Sequence, residues 1–336
     1  MKQTAMNPYL PLTDAYQRRI DYLRISVTDR CNLKCVYCMP GKGLKPFRQA
    51  DLLSVRELER IVLAAHRYGL RKVRVTGGEP LMRGDICTII STIKKKTSIR
   101  DLSMTTNGIM LAPLAEKLKK AGLDRVNISL DTMDPGRYRT MTRGGDLSRV
   151  WDSIEAAEKS GLLPIKLNVI PIRGMNDDEI ESFARLTFDR DCHIRFIEYM
   201  PTGRNAWKRE LCVSMEETRA RVSALGALEP LEFRGNGPSR NYRIKGSRGV
   251  VGFISAISDH FCGWCNRIRL TSTGLLLPCL YSSVKVDVKT PLRSGATDEE
   301  LGRLIGCAVA AKPGGHALDR RKDGVRGDMT MSQIGG

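Results

Sequence analysis

Between Tyr22 and Glu198 the chain alternates strand-like and helix-like segments six times, and this alternation limits the fold more than any other feature. Tyr22-Leu-Arg-Ile-Ser-Val-Thr28 alternates in polarity and is rich in β-branched residues, the pattern of a strand. Ser54-Val-Arg-Glu57 is a capping box, and the stripe Leu58, Ile61, Val62 and Ala65 continues it as a helix toward Gly69. Strands are predicted over 72–76, 102–105, 125–130, 165–170 and 193–198, and helices over 86–96, 113–121, 150–159 and 176–188 with Asn176 as cap. Repeated βα units require a parallel sheet with right-handed crossovers. Six units fall short of the eight that close a barrel. The expected fold is therefore α/β, an incomplete (β/α)6 barrel, with a doubly wound sheet as the alternative. In both, ligands bind beyond the C-terminal ends of the strands, which singles out Asp29–Cys38, Gly77–Pro80, Thr106–Gly108, Asp131 and Met200.

After Pro201 the pattern changes. A second capping box, Ser214-Met-Glu-Glu217, is followed by strand-like runs over 242–245 and 250–254, a helix over 299–311 and a tail rich in Gly, Arg and Asp. This region is too irregular for an independent enzyme and reads as an α+β cap over the open side of the barrel. The expected division is an N-terminal extension over 1–21, the partial barrel over 22–212 and a C-terminal domain over 213–336.

The net charge of +18 marks a surface that attracts polyanions, whether nucleic acid, polyphosphate or acidic membrane. Ten cysteines in a short secreted chain would imply disulfides, but with 336 residues, 41% of them apolar, a core forms without staples. Met1–Asp21 has no apolar stretch of signal-peptide length, and no stretch approaches the ~18 apolar residues of a membrane span. A reducing cytoplasm is the expected location. Cys87, Cys192, Cys212 and Cys307 are scattered and are expected to be small buried hydrophobes.

The other six cysteines form two groups. Cys31, Cys35 and Cys38 have C-x3-C-x2-C spacing on the loop after the first strand, and Cys262, Cys265 and Cys279 have C-x2-C-x13-C spacing. A structural zinc ion takes four protein ligands. Here a fourth would have to come from elsewhere, His66 for the first group and His260 for the second. A four-iron cluster held by three cysteines instead leaves one iron open to a ligand. Arg24 and Arg74 lie mid-strand among apolar neighbours, where an unpaired charge is costly if buried. Lys166, inside 164–170, follows the same logic; the alternative for Arg24 and Arg74 is exposed strand charge. Arg267 and Arg269 are two residues apart, so in a strand both point the same way, a clamp suited to phosphate or purine.

C-x3-C-x2-C after a first strand, with Tyr37 before the last cysteine and Gly77-Gly-Glu-Pro80 after the second strand, resembles the radical S-adenosylmethionine superfamily. The second cysteine group, Leu23–Arg30, Tyr199-Met-Pro201, Cys265-Asn-Arg-Ile-Arg269 and the terminal Gly335-Gly336 narrow the resemblance. They point to the branch that cyclises GTP between C3′ and C8, the first step of molybdenum cofactor biosynthesis. It runs from Tyr22 to Gly336 and implies two [4Fe-4S] clusters and S-adenosylmethionine. Cys31, Cys35 and Cys38 would hold the cluster that binds S-adenosylmethionine, with Tyr37, Gly78, Ser129 and Met200 as its further contacts. Cys262, Cys265 and Cys279 would hold the cluster that binds the guanine. Arg24, Arg74, Thr105, Lys166, Arg267 and Arg269 would contact GTP, with Ile268 along the base. Gly335 and Gly336 would reach the active site and support catalysis.

The resemblance also implies a reduced flavodoxin or ferredoxin as electron donor and a homodimer, with no nucleic-acid or membrane partner. Two rivals remain at this point. One is another radical S-adenosylmethionine enzyme, acting on RNA or peptide. The other is a zinc-stabilised basic nucleic-acid-binding protein, which leaves Gly-Gly-Glu-Pro and the βα units unexplained and has few aromatics (6%) to stack bases.

Overall fold

The computed structural model describes residues 11–40, 45–202, 205, 207–231, 237–316 and 329–335. Six strands form where the alternation predicts them: β1 (Tyr22–Ser26), β2 (Lys72–Thr76), β3 (Asp101–Thr106), β4 (Arg125–Ser129), β5 (Lys166–Val169) and β6 (His193–Ile197). They pair in parallel in sequence order, β1 through β6. An order without reversal has no switch point, so the sheet is barrel-like and not doubly wound.

The connecting helices are α1 (Val55–Arg67), α2 (Ile86–Lys96), α3 (Ala115–Lys120), α4 (Pro135–Thr142), α5 (Leu147–Lys159) and α6 (Ile180–Asp189). The Ser54–Glu57 capping box that opens α1 is reciprocal, as predicted. Asn176 does not cap α6. Its side-chain oxygen accepts from the Ile172 amide at 2.7 Å and its amide donates to the Asp131 carbonyl at 2.6 Å, so it staples the loop after β5 to the loop after β4. Helix α4 lies in a stretch for which no helix was expected. Its weak apolar stripe hides it, although Asp134 caps it and Pro135 starts it.

The C-terminal region differs from the expected cap in one respect that matters for the site. It contributes α7 (Met215–Ser223), β7 (Leu228–Leu231), β8 (Arg240–Ile244), β9 (Val250–Ile254), β10 (Arg267–Leu270), β11 (Leu275–Leu277), β12 (Val286–Asp287), α8 (Lys289–Arg293), α9 (Asp298–Ala310) and α10 (Met331–Ile334). Its strands extend both edges of the barrel sheet instead of lying over it. Strand β9 adds in parallel to β6, and β10 adds in parallel to β1. One sheet of order β12-β11-β10-β1-β2-β3-β4-β5-β6-β9-β8-β7 results. Because β9 and β10 are consecutive in sequence yet sit on opposite edges, residues 255–266 must cross the gap where a full barrel would close.

Side-chain parity explains the charges inside the strands. Leu23, Ile25, Val73, Val75, Leu102, Met104, Val126, Ile128, Leu167, Ile194 and Phe196 are buried in the main apolar core. Residues of the other parity, such as Arg24, Arg74, Thr105, Ser129, Asn168 and Arg195, line a cavity within the sheet's curve. The strands bury both faces, but only one is apolar.

Of the four scattered cysteines, only Cys192 is fully buried. Cys87 and Cys212 are half-buried, and Cys307 is exposed on α9, against the expectation of four buried hydrophobes. Among the described residues no helix is long and apolar enough to cross a membrane.

Candidate active site

Both cysteine groups line the same cavity, of about 300 Å³, within the range of ligand pockets. They lie at opposite ends of it. Cys31, Cys35 and Cys38 follow β1 at the C-terminal ends of the parallel strands. Cys265 lies two residues before β10, whose Arg267 is level with Tyr22 at the start of β1. Cys279 follows β11, whose Leu277 is level with Arg269 and whose chain runs back toward the same end. The second group therefore sits at the N-terminal mouth, away from the strand ends where ligands were expected.

The first group is held by the loop after β2. The Gly78 amide donates to the Thr28 carbonyl at 2.8 Å and the Glu79 amide to the Arg30 carbonyl at 2.7 Å. A Cβ on Gly78 would lie 2.3 Å from the Arg30 carbonyl oxygen. The glycine is thus needed for the approach of the cysteine loop itself. Glu79 is fully buried and accepts from the Leu81 amide, the Thr106 hydroxyl (2.8 Å) and the Asn107 amide (2.7 Å). It ties the loops after β2 and β3 together, and burial pushes its carboxyl up to about 7. Tyr37 donates to Asp131 at 2.5 Å, and Asp131 accepts from the Ile170 amide at 2.8 Å. Asn205 donates to the Tyr37 and Met200 carbonyls at 3.2 and 2.9 Å. Tyr37, Gly78, Ser129 and Met200 all line the cavity at this end. Asn107 belongs to the segment Thr106–Gly108 that the strand ends single out, though the sequence assigns it no role. It lines the cavity too, with its amide 3.8 Å from the Cys31 sulfur.

Between the two cysteine groups the register aligns cations in a row. Arg269 is level with Arg24, Arg24 with Arg74, and Arg74 with Ser103, to whose hydroxyl it donates at 3.3 Å. Burial, then Arg269 and Arg74, hold Arg24 well below its ordinary value. Arg195 enters from β6, where its guanidinium donates to Asn168 at 2.6 Å and Asn127 at 2.9 Å. Burial, then Arg74 and Arg125, bring it down to about 9. The sequence signal for Arg195 is a charge mid-strand in the last βα unit, like that of Arg24 in the first.

Lys166 does not line the cavity. It shares the face of β5 that carries Asn168, with burial and then Arg195, Arg125 and Arg74 lowering it to about 7. Ile268 does not line it either: it is buried in the apolar core, on the opposite side of β10 from Arg267 and Arg269. Gly335 lies against Ser26 and Thr76, and its carbonyl accepts from Arg269. Gly336 and Arg320, Arg321 and Arg326 lie outside the described residues.

The donor chemistry fits metal clusters. All six thiols are free. Burial and mutual crowding push Cys38 up to about 12 and raise Cys35 strongly, so these thiolates need a cation beside them. Burial also acts on Cys265, but Arg267 and Lys312 outweigh it and bring that thiol down to about 6. Among the described residues no group of His, Cys, Asp and Glu is drawn together tightly enough for a single ion. His66, on α1, is hydrogen-bonded to the Leu70 carbonyl and the Ser98 hydroxyl, and His260 is exposed beside the His316 ring. The cavity also leaves the Thr105 hydroxyl, the Tyr22 hydroxyl and Arg195 Nε buried without partners among the described residues, groups that an occupant would satisfy.

Residues 25–187 match the model of the Radical SAM superfamily, and residues 192–318 that of Molybdenum Cofactor Synthesis C. The chain is 48% identical to the GTP 3′,8-cyclase of Desulforamulus reducens, covering 97% of this chain and all of that one. The chain belongs to the GTP 3′,8-cyclase family. The family's enzymes from Heliobacterium modesticaldum and Thermodesulfovibrio yellowstonii are 48% and 43% identical to it, again over 97% of this chain and their whole length. Among solved structures, Streptococcus suis SuiB bound to S-adenosylmethionine matches 94% of this chain and 75% of its own, with a TM-score of 0.61 at 15% identity. That likeness concerns the fold alone.

Proposed function

We propose that this chain is a radical S-adenosylmethionine lyase that converts GTP to 3′,8-cyclo-7,8-dihydro-GTP, opening molybdenum cofactor biosynthesis. The observation that carries the reading is the arrangement of two cysteine triads at opposite ends of one cavity with a row of arginines between them. Cys31, Cys35 and Cys38 would hold one four-iron cluster, and Cys262, Cys265 and Cys279 a second. Tyr37, Gly78, Ser129 and Met200 would contact S-adenosylmethionine. When bound, the first cluster and S-adenosylmethionine supply the one-electron chemistry that removes a hydrogen atom from the ribose.

The protein's share is binding, orientation and exclusion of water. Arg24, Arg74, Arg195 and Arg269 are buried, burial lowers each of them, and neighbouring arginines lower Arg24 and Arg195 further; a triphosphate would relieve that repulsion. Arg267 beside Cys265 places a further cation where the base would meet the second cluster. Thr105 offers a buried hydroxyl and Lys166 a long-range charge. Gly335 reaches the same row through Arg269, which supports a role for the tail in closing the site. The two cysteine triads lie at opposite ends of the cavity, so a nucleotide held between them would have its ribose toward one and its base toward the other, with C3′ and C8 adjacent.

The reading includes a cytoplasmic location, a reduced flavodoxin or ferredoxin as electron donor, and a homodimer. Anaerobic metal analysis tests it first: about eight irons per chain and little zinc are expected. Incubation with GTP, S-adenosylmethionine and a reductant should give 5′-deoxyadenosine and the cyclised nucleotide. Zinc without iron, or turnover only when RNA or peptide replaces GTP, would overturn it.

A further inference from the structure

The N-terminal segment before β1 lay outside the resemblance, yet its described part is not a loose extension. Leu12 and Ile20 are buried in the main core. The Ile20 amide donates to the Leu12 carbonyl at 2.8 Å and the Asp14 amide to the Arg18 carbonyl at 3.1 Å, closing a tight hairpin. Gln17 at its tip has φ of +61°, a left-handed conformation that few side chains adopt. The hairpin carries Arg18, which is 7% exposed.

Arg18 uses its whole fork. Nε donates to Asp14 at 2.6 Å, and Asp14 in turn accepts from the Arg18 and Tyr16 amides. Nη1 donates to the carbonyl of Cys262 at 2.6 Å and of Gly314 at 3.2 Å, and Nη2 to the carbonyl of Pro313 at 2.6 Å. The segment after α9 that carries Pro313 and Gly314 also carries Lys312. The Lys312 ammonium donates to the Arg267 carbonyl at 2.7 Å and the Pro278 carbonyl at 2.9 Å. Pro278 immediately precedes Cys279. A Cβ on Gly314 would lie 2.7 Å from the Tyr16 ring, so the hairpin sits directly on that segment.

We infer that Arg18 is a positioning residue for the second cysteine triad, clamping the Cys262 turn to the Lys312–Gly314 segment that anchors Cys279. The need follows from the topology. Residues 255–266 bridge two sheet edges, and neither Cys262 nor Cys279 lies in a strand or an α-helix. Their loops have no ladder to fix them: apart from Arg18, the Cys262 carbonyl is held within its own turn, by the Cys265 amide at 3.2 Å, and Arg18 ties that turn to a remote segment. Only a planar fork with donors pointing three ways reaches three carbonyls and a carboxylate. A lysine ammonium is a single point with three donors.

The inference rests on the reading of Cys262, Cys265 and Cys279 as cluster ligands, and the test separates the two. The full-length protein, wild type, Arg18→Lys and Asp14→Asn, would be reconstituted anaerobically, with Arg48→Lys, an exposed arginine, as control. Three readouts are taken: iron per chain, the thermal midpoint of the apoprotein, and reductive cleavage of S-adenosylmethionine without GTP. The expected result for Arg18→Lys is a fall from about eight irons to about four, with cleavage of S-adenosylmethionine kept and cyclisation lost. Asp14→Asn should fall between Arg18→Lys and wild type. Wild-type iron of about four would overturn the two-cluster reading itself. Wild-type iron of about eight with Arg18→Lys unchanged would overturn the role of Arg18. Loss of both clusters together, or failure of Arg18→Lys to fold, would make Arg18 a residue of general stability and also overturn it.

Discussion

Replacing Gly78 with alanine tests how the first cysteine loop is held. The added Cβ would lie 2.3 Å from the Arg30 carbonyl oxygen, 2.6 Å from its carbon and 2.7 Å from the Asp29 carbonyl oxygen. All three are backbone atoms, so no side chain can swing aside. Restoring ordinary contact requires a shift of roughly 1 Å, and overpacking of this kind costs about 1–3 kcal/mol. The shift would also stretch the hydrogen bonds from Gly78 to Thr28 and from Glu79 to Arg30. With an unfolding entropy of about 2.1 cal/mol/K per residue, a chain of 336 residues loses roughly 1.5–4 °C of midpoint. The functional effect should be larger, because Cys31 follows Arg30 directly. A displacement of about 1 Å at a reacting centre lowers rates by ~100-fold. Calorimetry of the apoprotein and the rate of 5′-deoxyadenosine formation measure the two effects. Gly84→Ala is the control: nothing lies within 4 Å of its Cβ. A Gly78→Ala protein with wild-type midpoint and wild-type rate would refute the packing argument.

Other expectations follow from the cavity. Arg269→Ala should weaken GTP binding to the apoprotein by about 10-fold or more and flatten its salt dependence, measured by calorimetry at two salt concentrations; equal loss for guanosine would argue against a phosphate contact. Lys166 has a folded value near 7, below its unfolded 10.5, so the folded protein binds fewer protons between these pH values and its stability rises with pH across that window. A bound triphosphate raises the lysine again, so GTP binding should take up a proton and weaken as pH rises above 7, and Lys166→Met should abolish this dependence. Removal of Gly335-Gly336 should stop cyclisation while both clusters stay loaded, read by iron content beside product analysis; full activity would remove the tail from the mechanism. Gln17→Gly should raise the midpoint slightly, by about 1 °C, since a glycine adopts φ of +61° without strain.

Much of the barrel was legible because each βα unit announces itself locally. The predicted 72–76 and 86–96 coincide with β2 and α2 as observed, and the Ser54–Glu57 box begins α1. Period and capping are properties of neighbours in sequence, so they survive without the fold. The two cysteine groups and the mid-strand arginines were legible for the same reason: their spacing and setting are local. Helix α4 was missed because its apolar stripe is weak, and Asn176 was misjudged because its partners, Asp131 and Ile172, come from loops.

What the chain determined alone is the list of parts: a run of βα units, two incomplete ligand sets, and charges placed where strands alternate. What the tertiary structure decided is their mutual address. The parallel register sets Arg269, Arg24 and Arg74 level, although Arg24 and Arg269 come from opposite ends of the chain. The attachment of β9 and β10 to opposite sheet edges puts the second cysteine group at the N-terminal mouth. Register and edge choice are settled by pairing between distant segments, which leaves no local period to read. The same holds for Arg18 and Lys312, whose partners are backbone carbonyls of remote loops, identical in the sequence at every position and distinguished only by where the fold brings them.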